Sequence, residues 1–393
     1  VNTAMSWGYF HWAIHAWAIY CIVALCLAYS FYNRNKPLTF RDACIDCLPA
    51  CCRRSSGLLI ETLAILATVL GLSTSFGFAA LQFNSGLDFI SGIGSTAIVK
   101  SVIVVTLTCF TAMSVFIGVN KGMKIISELN TSLSLVLMAG MFVFGPTLYL
   151  LSLIPESIGT YLSNLFAMGL WTDAQLQVTG FGHWKESWNG WWTVFIWSWS
   201  LSFSPFVGAF IARISHGRTI RDFILGVVVI PSLIVIIWIA IMGGSAIYFD
   251  LNQGGTISAA VNSDIASGLF ALFGNVSWSV VRLALLVIAT VLVATYYITS
   301  LDSGIHALAH FVSPSDHPSA WFKVMLVAAI GSITLVLLSL GGTAALATIQ
   351  TGAILGALPF SFICLLMIYN FIHNLINDRL PGTFILSQDR MNR

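Results

Sequence analysis

The sequence predicts an all-α protein that crosses a membrane several times. Hydrophobic residues make up 58% of the 393 residues and charged residues only 8%, whereas an average soluble domain has about 25% charged residues. Uncharged apolar stretches of about 20 residues, the length of a membrane-spanning helix, recur along the whole chain. The mean hydropathy of +0.90 agrees with a chain whose solvent is lipid. A soluble globular protein is therefore excluded.

Polar breaks divide the chain into nine predicted membrane-spanning helices. These helices make residues 1–374 a single transmembrane domain and leave residues 375–393 as a cytoplasmic tail. The expected spans are residues 6–32, 57–82, 97–118, 126–153, 188–212, 222–248, 279–300, 322–340 and 344–374.

The positions of the basic residues orient these spans. With the N-terminus outside, only Lys100, Lys185 and Arg282 of the 17 Lys and Arg residues lie on the outer side. The positive-inside rule thus predicts an N-terminus of this chain outside and a C-terminus in the cytoplasm. The expected location is a plasma membrane, specifically a bacterial inner membrane. Membrane lipid is an expected partner, because apolar stretches recur along the chain. Nucleic acid is not an expected partner, because the basic residues are scattered and the net charge is only +2.

A segment on the outer side, residues 153–187, carries tryptophans among polar residues. Trp171 and Trp184 lie within it, and Trp188 follows it. This composition favours an amphipathic helix in the membrane interface, and an ordinary belt of interfacial aromatic residues is the alternative.

Two stretches are dense in aromatic residues, at residues 10–20 and 191–199. On a helix Trp17 and Tyr20 share a face, while Trp12 lies about 140° from Trp17. A quaternary ammonium group has no N–H donor, but several π faces can replace its water, at about 2 kcal/mol or more per desolvated contact. The stretches are compatible with such a cage and also with an interfacial aromatic belt.

These stretches resemble the signature region of the betaine/choline/carnitine transporter (BCCT) family. The similarity extends to Ser204–Gly208 and Ile211–Arg221, and further matches follow the family's order at Gly77–Gln82, Gly145–Thr147 and Ile298–Ser303. The resemblance covers nearly the whole chain.

The resemblance implies the inverted-repeat, LeuT-like transporter fold, with two repeats of five helices and a substrate site near the bilayer midplane beside a broken helix. The fifth span is the expected broken helix, because Ser alternates with apolar residues there before Pro205; a plain proline kink is the alternative. The resemblance also implies helices ahead of residue 1, among them the first core helix. We expect this sequence to be a fragment or to omit that part, and a truncated relative is the alternative. The resemblance implies a homotrimer as well.

Carried over by resemblance, the family's aromatic box falls on Trp12, Trp17 and Tyr20 of the first span and on Phe195, Trp197 and Trp199 of the fifth. Two further positions depart from the family. Ser200 stands where relatives usually have Trp, and Phe203 where they have Trp or Tyr. The lost ring weakens the expectation of a betaine-like substrate, since a hydroxyl beside the site suits a ligand with its own polar group.

Sodium is the expected coupling ion, and no other cofactor is expected. Thr299 and Ser300, placed at the inner end of the seventh span, match the hydroxyl ligands of sodium-coupled relatives, although such pairs often bond to their own helix. Thr68 and Phe206 match a second site, which is doubtful because Leu72 replaces an expected Thr. Asp302 is either an ion ligand or, as we expect, a charge at the membrane edge.

Four cysteines gather in the first inner loop, at Cys44, Cys47, Cys51 and Cys52. Zinc ligation and lipidation are conceivable, but the spacing is unusual for zinc and inert reduced thiols are expected. Paired histidines four residues apart raise a membrane enzyme as a rival, but no acidic partner accompanies them.

The expected function is secondary transport, not catalysis. The sequence predicts import of a small quaternary-ammonium or zwitterionic solute of the betaine, choline or carnitine type, driven by sodium. Related sulfonium, amine-oxide or sulfonate solutes such as taurine are alternatives. A channel or a transporter-like membrane sensor is the alternative from another class.

Overall fold

The computed structural model describes residues 1–118, 120–174, 187–313, 318–341 and 345–378, and only the backbone at residues 120–122. Trp184, Lys185 and the tail from residue 379 onward lie outside these ranges. Within them the chain is helical and contains no β-strand. The all-α prediction is confirmed.

Nine helices in the described ranges are long and apolar enough to cross a membrane, as predicted. We number them spans 1 to 9: Asn2–Asn33, Arg53–Ser91, Ala97–Ile117, Met123–Phe144, Asn189–Ile214, Ile220–Asn252, Ser279–Val312, Ala320–Gly341 and Ala345–Asn377. The remaining α-helices are Phe40–Cys44, Thr147–Gly169, Thr256–Ser263 and Gly268–Gly274.

The fourth span ends earlier than predicted. The expected limit at residue 153 is wrong, because the helix stops at Phe144 and a separate helix begins at Thr147. Pro146 lies between them, and a proline both lacks an amide donor and disfavours a helical residue before it. The new helix runs through part of the segment expected at the interface and exposes Leu148 and Phe166 by 83% and 82%.

Span 1 is interrupted near its middle. Its α-helix runs from Asn2 to Trp12, and a second α-helix begins at Ile14. Between them the backbone of Ala13 has φ −98° and ψ −119°, outside the helical region. The amide of Ala13 still donates to the carbonyl of Tyr9 at 2.8 Å, so the break changes the direction of side chains without leaving that donor unpaired.

Span 5 is continuous where a break was expected. A π-helical turn at Asn189–Val194 leads into an α-helix, Phe195–Ile214, which contains Pro205 in its interior. The predicted break at Pro205 is therefore wrong. Pro205 cannot donate to the carbonyl of Leu201, but the hydroxyl of Ser204 donates to that oxygen at 2.7 Å and replaces the missing bond.

Close helix contacts hold spans 1, 2 and 5 together. A Cβ added to Gly71 of span 2 would lie 2.9 Å from the backbone of Ser202 in span 5, and one added to Gly208 would lie 2.7 Å from Val23 of span 1. Glycine at these positions lets the backbones approach, as is usual between helices in membranes. Spans 1 and 2 are thereby both packed closely against span 5.

An ion-pair network connects the loop between spans 1 and 2 to the end of span 9. Asp46 contacts Lys36 at 2.5 Å and Arg34 at 3.6 Å, and Arg34 also pairs with Asp378. Burial alone would raise the pKa of Asp46, but hydrogen bonds from Lys36 and Asn374 and the nearby positive charges outweigh it. The pKa of Asp46 therefore lies below its ordinary value.

The four loop cysteines occupy different surroundings. Cys44 is buried, whereas Cys51 and Cys52 are exposed with their sulfurs 3.4 Å apart. The thiol of Cys47 donates to Asn370 at 2.9 Å. Among the described residues, no three His, Cys, Asp or Glu side chains are placed to hold a metal ion, so the structure gives no support to a zinc site here.

Candidate functional site

A cavity of about 490 Å³ opens among spans 1, 2, 4, 5, 6 and 7. We call it the aromatic cavity. It contains six of the residues predicted from the sequence to bind substrate or sodium. Its lining is Trp12, Tyr20, Ser75, Ala79, Gln82, Ser134, Leu137, Trp199, Ser200, Phe203, Trp238, Leu269, Ala289, Leu292, Val293, Tyr296, Tyr297 and Ser300.

Trp199 is held firmly at the centre of the aromatic wall. Its indole N–H donates to the hydroxyl of Ser75 at 2.8 Å, and its ring stacks on Phe78 with centroids 5.2 Å apart. Phe195 stacks on the same ring at 5.9 Å, and Trp12 meets it edge to face at 5.5 Å and 88°. These contacts fix the orientation of Trp199 while leaving part of the ring facing the cavity.

Trp12 and Tyr20 reach the cavity from the two halves of span 1. Trp12 is the last residue before the break at Ala13, and 40% of its surface is exposed. Ser200, where relatives were expected to carry Trp, is buried within hydrogen-bonding reach of the Tyr20 hydroxyl.

Three of the predicted rings do not line this cavity. Trp17 packs edge to face on Tyr20 at 5.6 Å but faces a separate groove of about 330 Å³ that includes Arg218. Trp197 lies two residues before Trp199, and residues two apart on a helix point in nearly opposite directions. The Trp197 ring therefore packs on Phe10 at 5.0 Å and on His15 at 5.6 Å. Phe195 stacks on Trp199 but does not line the cavity.

The threonines predicted as ligands of the two sodium sites bond within their own helices. The hydroxyl of Thr299 donates to the carbonyls of Thr295 and Tyr296, each at 3.0 Å, and that of Thr68 donates to Ala64 at 2.8 Å. Both threonines thus bond to their own helices. Ser300 alone of these residues lines the aromatic cavity. Phe206 is 7% exposed and packs edge to face on Phe203 at 4.9 Å.

The positions of Thr299 and Ser300 along span 7 also differ from the prediction. The span was expected to end at residue 300, but it continues to Val312. The pair therefore lies within the helix and not at its inner end. The longer helix also buries the residues that follow, which the sequence placed outside it.

Asp302 was expected to be a charge at the membrane edge, and this prediction is wrong. Its side chain is buried, accepts a hydrogen bond from Ser114 at 2.8 Å and pairs with His306 at 3.2 Å. The other ring nitrogen of His306 lies 3.1 Å from the amine of Lys323. A carboxylate inside a long apolar helix is the signal that could have marked this residue, since such groups need partners in a membrane.

Asp302 belongs to a second cavity of about 250 Å³, which we call the charged cavity. It lies among spans 4, 5 and 7. Its lining is Met123, Ala209, Phe210, Arg213, Asp302, Ser303, His306 and Ala307.

Several polar side chains that line the aromatic cavity were not predicted as site residues. Ser75, Ala79 and Gln82 share one face of span 2, at helical spacings of four and three residues. Ser134 of span 4 hydrogen-bonds to Tyr296 of span 7 at 3.0 Å. Gln82 had entered the sequence argument only as part of a family motif, and its polar side chain in an apolar span was the available signal.

Comparison with known proteins places the chain among transporters. The sequence model described as BCCT, betaine/carnitine/choline family transporter, matches residues 1–380. The chain belongs to this family. Members of the BCCT family are transporters and not enzymes, so the rival interpretation of the paired histidines as a membrane enzyme is excluded.

Several BCCT relatives match nearly all of this chain. A glycine betaine transporter of Acinetobacter baylyi is 36% identical over 95% of this chain and 55% of its own length. Glycine betaine transporter OpuD of Bacillus subtilis is 37% identical over 96% of this chain and 71% of its own length. An ectoine/hydroxyectoine transporter of Virgibacillus pantothenticus is 33% identical over 94% and 71%. The chain thus spans between about half and three quarters of these relatives.

Proposed function

We propose that this protein is a secondary transporter that imports a small quaternary-ammonium or zwitterionic solute by alternating access. The observation that carries the proposal is that rings from spans 1 and 5 line one cavity inside a bundle of membrane-spanning helices. Trp12, Tyr20, Trp199 and Phe203 are the proposed cage. Relatives named as glycine betaine and ectoine transporters support this class of solute.

The chemistry of the cavity suits such a solute. None of the described residues that line it is Asp, Glu, Lys, Arg or His. A cation that enters must therefore exchange its water for π faces, which are worth about 2 kcal/mol each when desolvated. The volume of about 490 Å³ falls within the range of small-molecule sites, so a compact solute can enter with some of its water.

We further propose that sodium drives uptake through Ser300 and Thr299. The Ser300 hydroxyl faces the cavity and has no hydrogen-bond partner among the described residues. Thr299, one residue earlier, would need to turn its hydroxyl away from the carbonyls of its own helix to join a sodium shell. Five or six oxygens are required, so backbone carbonyls and the solute would supply the remainder.

The proposed setting is a bacterial inner membrane with the N-terminus of this chain outside, as the basic residues indicate. A homotrimer is proposed from the family resemblance. The exposed apolar side chains of the helix Thr147–Gly169, including Phe166, are compatible with burial against a neighbouring subunit or lipid. Cross-linking in native membranes would report the number of subunits.

Uptake into proteoliposomes tests the function directly. Full-length protein should accumulate labelled glycine betaine against its gradient when sodium is high outside, and it should not when potassium replaces sodium. Undiminished accumulation in potassium would remove sodium coupling, and equilibration without accumulation would indicate a channel. Binding without any flux would favour a sensor. Competition by choline, carnitine, ectoine, a sulfonium compound, an amine oxide and taurine would rank the solutes.

A further inference from the structure

Two exposed cysteines in the loop between spans 1 and 2 form a pair that the transport function does not use. Cys51 and Cys52 are adjacent in sequence, both are exposed, and their sulfurs lie 3.4 Å apart. Neither lines the aromatic cavity or the charged cavity. The proposed orientation places this loop in the cytoplasm, where small solutes can reach the pair.

The backbone holds the two thiols side by side. The amide of Cys52 donates to the carbonyl of Pro49 at 3.0 Å, which closes a turn around Cys51. The carbonyl of Cys52 accepts from the amide of Ser56 at 2.9 Å, at the start of the helix that begins at Arg53. The pair is thus fixed between a turn and a long helix, and it needs little rearrangement to bind one atom through both sulfurs.

The other two cysteines of this loop are less reactive. Cys44 is completely buried, and burial raises the pKa of its thiol well above the ordinary value. Cys47 is partly buried and its thiol donates to Asn370 at 2.9 Å; burial and the neighbouring Asp46 charge raise its pKa. Because the thiolate is the form that reacts, both are poor ligands for a thiophilic centre, which leaves the exposed pair.

The pair is expected to remain as two thiols. Adjacent residues joined by a trans peptide bond have Cα atoms about 3.8 Å apart, whereas disulfides usually join Cα atoms about 4.4–6.8 Å apart. A disulfide between Cys51 and Cys52 is therefore strained and easily reduced, and a reducing cytoplasm keeps such thiols free. Two neighbouring thiols are then available to chelate.

The separation of the two sulfurs favours one kind of centre. With bonds of about 2.3 Å to each sulfur, a separation of 3.4 Å corresponds to an angle of about 95° at the bound atom. This angle is smaller than the tetrahedral angle that zinc prefers, and it is far from a linear arrangement of two thiolates. A pyramidal trivalent arsenic atom has bond angles close to a right angle, so it fits the pair with the least movement.

The surroundings of the pair also disfavour a divalent cation. No acidic residue occurs between Leu48 and Ile60, and exposed Arg53 and Arg54 follow the pair directly. Among the described residues, no three His, Cys, Asp or Glu side chains are grouped to hold a metal ion. A dication would therefore lack ligands and meet positive charge. A neutral trivalent arsenical that carries one organic group needs only two thiols.

We propose that Cys51 and Cys52 form a binding site for trivalent, monosubstituted arsenicals, R–As(OH)₂. Each thiol forms an As–S bond as one As–O bond breaks, and its proton leaves with the displaced hydroxide as water. Arsenic stays trivalent, so the step needs no oxidant or reductant. The second As–S bond forms within the complex, at an effective concentration on the order of millimolar or more, so the pair holds arsenic more tightly than a single thiol does.

The test is retention of an arsenical probe by the full-length protein, reduced and reconstituted into liposomes. The protein would be labelled with a biotinylated phenylarsonous acid and washed with a monothiol. The unmodified protein should retain the probe through this wash and release it to a small dithiol. Cys51→Ser and Cys52→Ser should each lower the retained probe about tenfold or more, because the monothiol displaces arsenic from a single cysteine.

Two further variants serve as matched controls. Cys47→Ser removes the nearest other thiol of the loop, and Cys109→Ser removes a lone exposed thiol of span 3. Both should retain the probe at the unmodified level. Because Cys51 and Cys52 are exposed, their serine variants should also unfold at the same temperature as the unmodified protein, so that lost retention does not reflect lost folding.

Three results would overturn the assignment. They are no retained probe on the unmodified protein, full retention in either Cys51→Ser or Cys52→Ser, and a loss in Cys47→Ser as large as in those two variants. The last result would make Cys47 one of the two ligands. None of these measurements requires that the protein transports a solute, so they are independent of the proposed function.

Discussion

The aromatic cavity and the charged cavity differ in whether charged side chains line them. The aromatic cavity offers rings, hydroxyls and one amide, several of them without partners. The charged cavity contains Arg213, Asp302 and His306, and Asp302 is already satisfied by Ser114 and His306. A site that must receive and release a solute keeps neutral groups free, whereas groups that join helices are bonded to one another. Substitutions in the aromatic cavity should therefore change mainly solute binding, and substitutions in the charged cavity should change mainly the stability of the protein.

The largest expected effect is the loss of solute affinity on removing Trp199 from the aromatic cavity. Trp199→Ala removes the ring that Trp12, Phe78 and Phe195 surround. Loss of one desolvated cation–π contact of about 2 kcal/mol should raise the Kd for glycine betaine about thirtyfold and reduce uptake accordingly. Isothermal titration and proteoliposome uptake measure the two quantities. Trp197→Phe, on the opposite side of span 5, should leave the affinity unchanged; equal losses in the two variants would contradict the assignment.

The second prediction concerns the charged cavity. Asp302→Asn keeps the shape of the side chain but removes the charge that His306 faces, so the free energy of unfolding should fall by about 1–3 kcal/mol. Thermal unfolding in detergent would show this as a lower midpoint. Because Asp302 does not line the aromatic cavity, the Kd for glycine betaine should stay the same. A large loss of affinity at unchanged stability would break the contrast between the cavities.

A smaller effect is expected at Ser200. Ser200→Ala removes the hydroxyl within reach of Tyr20, and a neutral hydrogen bond contributes about 1 kcal/mol. The Kd for glycine betaine should rise about twofold to fivefold, because the Tyr20 ring remains but its orientation is less fixed. If the same variant abolishes binding, the Ser200 hydroxyl contacts the solute directly and the cage extends further into span 5.

The smallest effect is expected from the ion-pair network between the loop after span 1 and the end of span 9. The pKa of Asp46 is depressed in the folded protein, so the unfolded state binds more protons as the pH falls. Its contribution to stability is present above the unfolded value of about pH 4 and is lost as the pH falls through the lower folded pKa. Unfolding midpoints measured between pH 6 and pH 3 should decline less steeply for Asp46→Asn. An identical slope in both proteins would show that Asp46 contributes nothing to this pH dependence.

The sequence by itself determined the membrane class, the number of spans and the family. These properties depend on composition and on apolar stretches that are local in the chain, because a helix in lipid must satisfy its own backbone and needs only sufficient apolar length. The sequence pattern misplaced the C-terminal ends of two spans, the fourth and the seventh. Pro146 stopped span 4 early. Span 7 continued past Ser300, where Asp302 and His306 find partners in Ser114 of span 3 and Lys323 of span 8.

Only the tertiary structure decided which aromatic residues share a cavity. The sequence named eight candidate substrate residues, but the break at Ala13 turns Trp12 toward Trp199, while Trp17 and Trp197 face other surroundings. It likewise kept span 5 continuous, since the Ser204 hydroxyl replaces the bond that Pro205 cannot make. That the buried Tyr297 hydroxyl has no hydrogen-bond partner among the described residues is known only from its tertiary surroundings. Side-chain direction and hydrogen-bond satisfaction depend on contacts between distant parts of the chain, and linear spacing does not specify them.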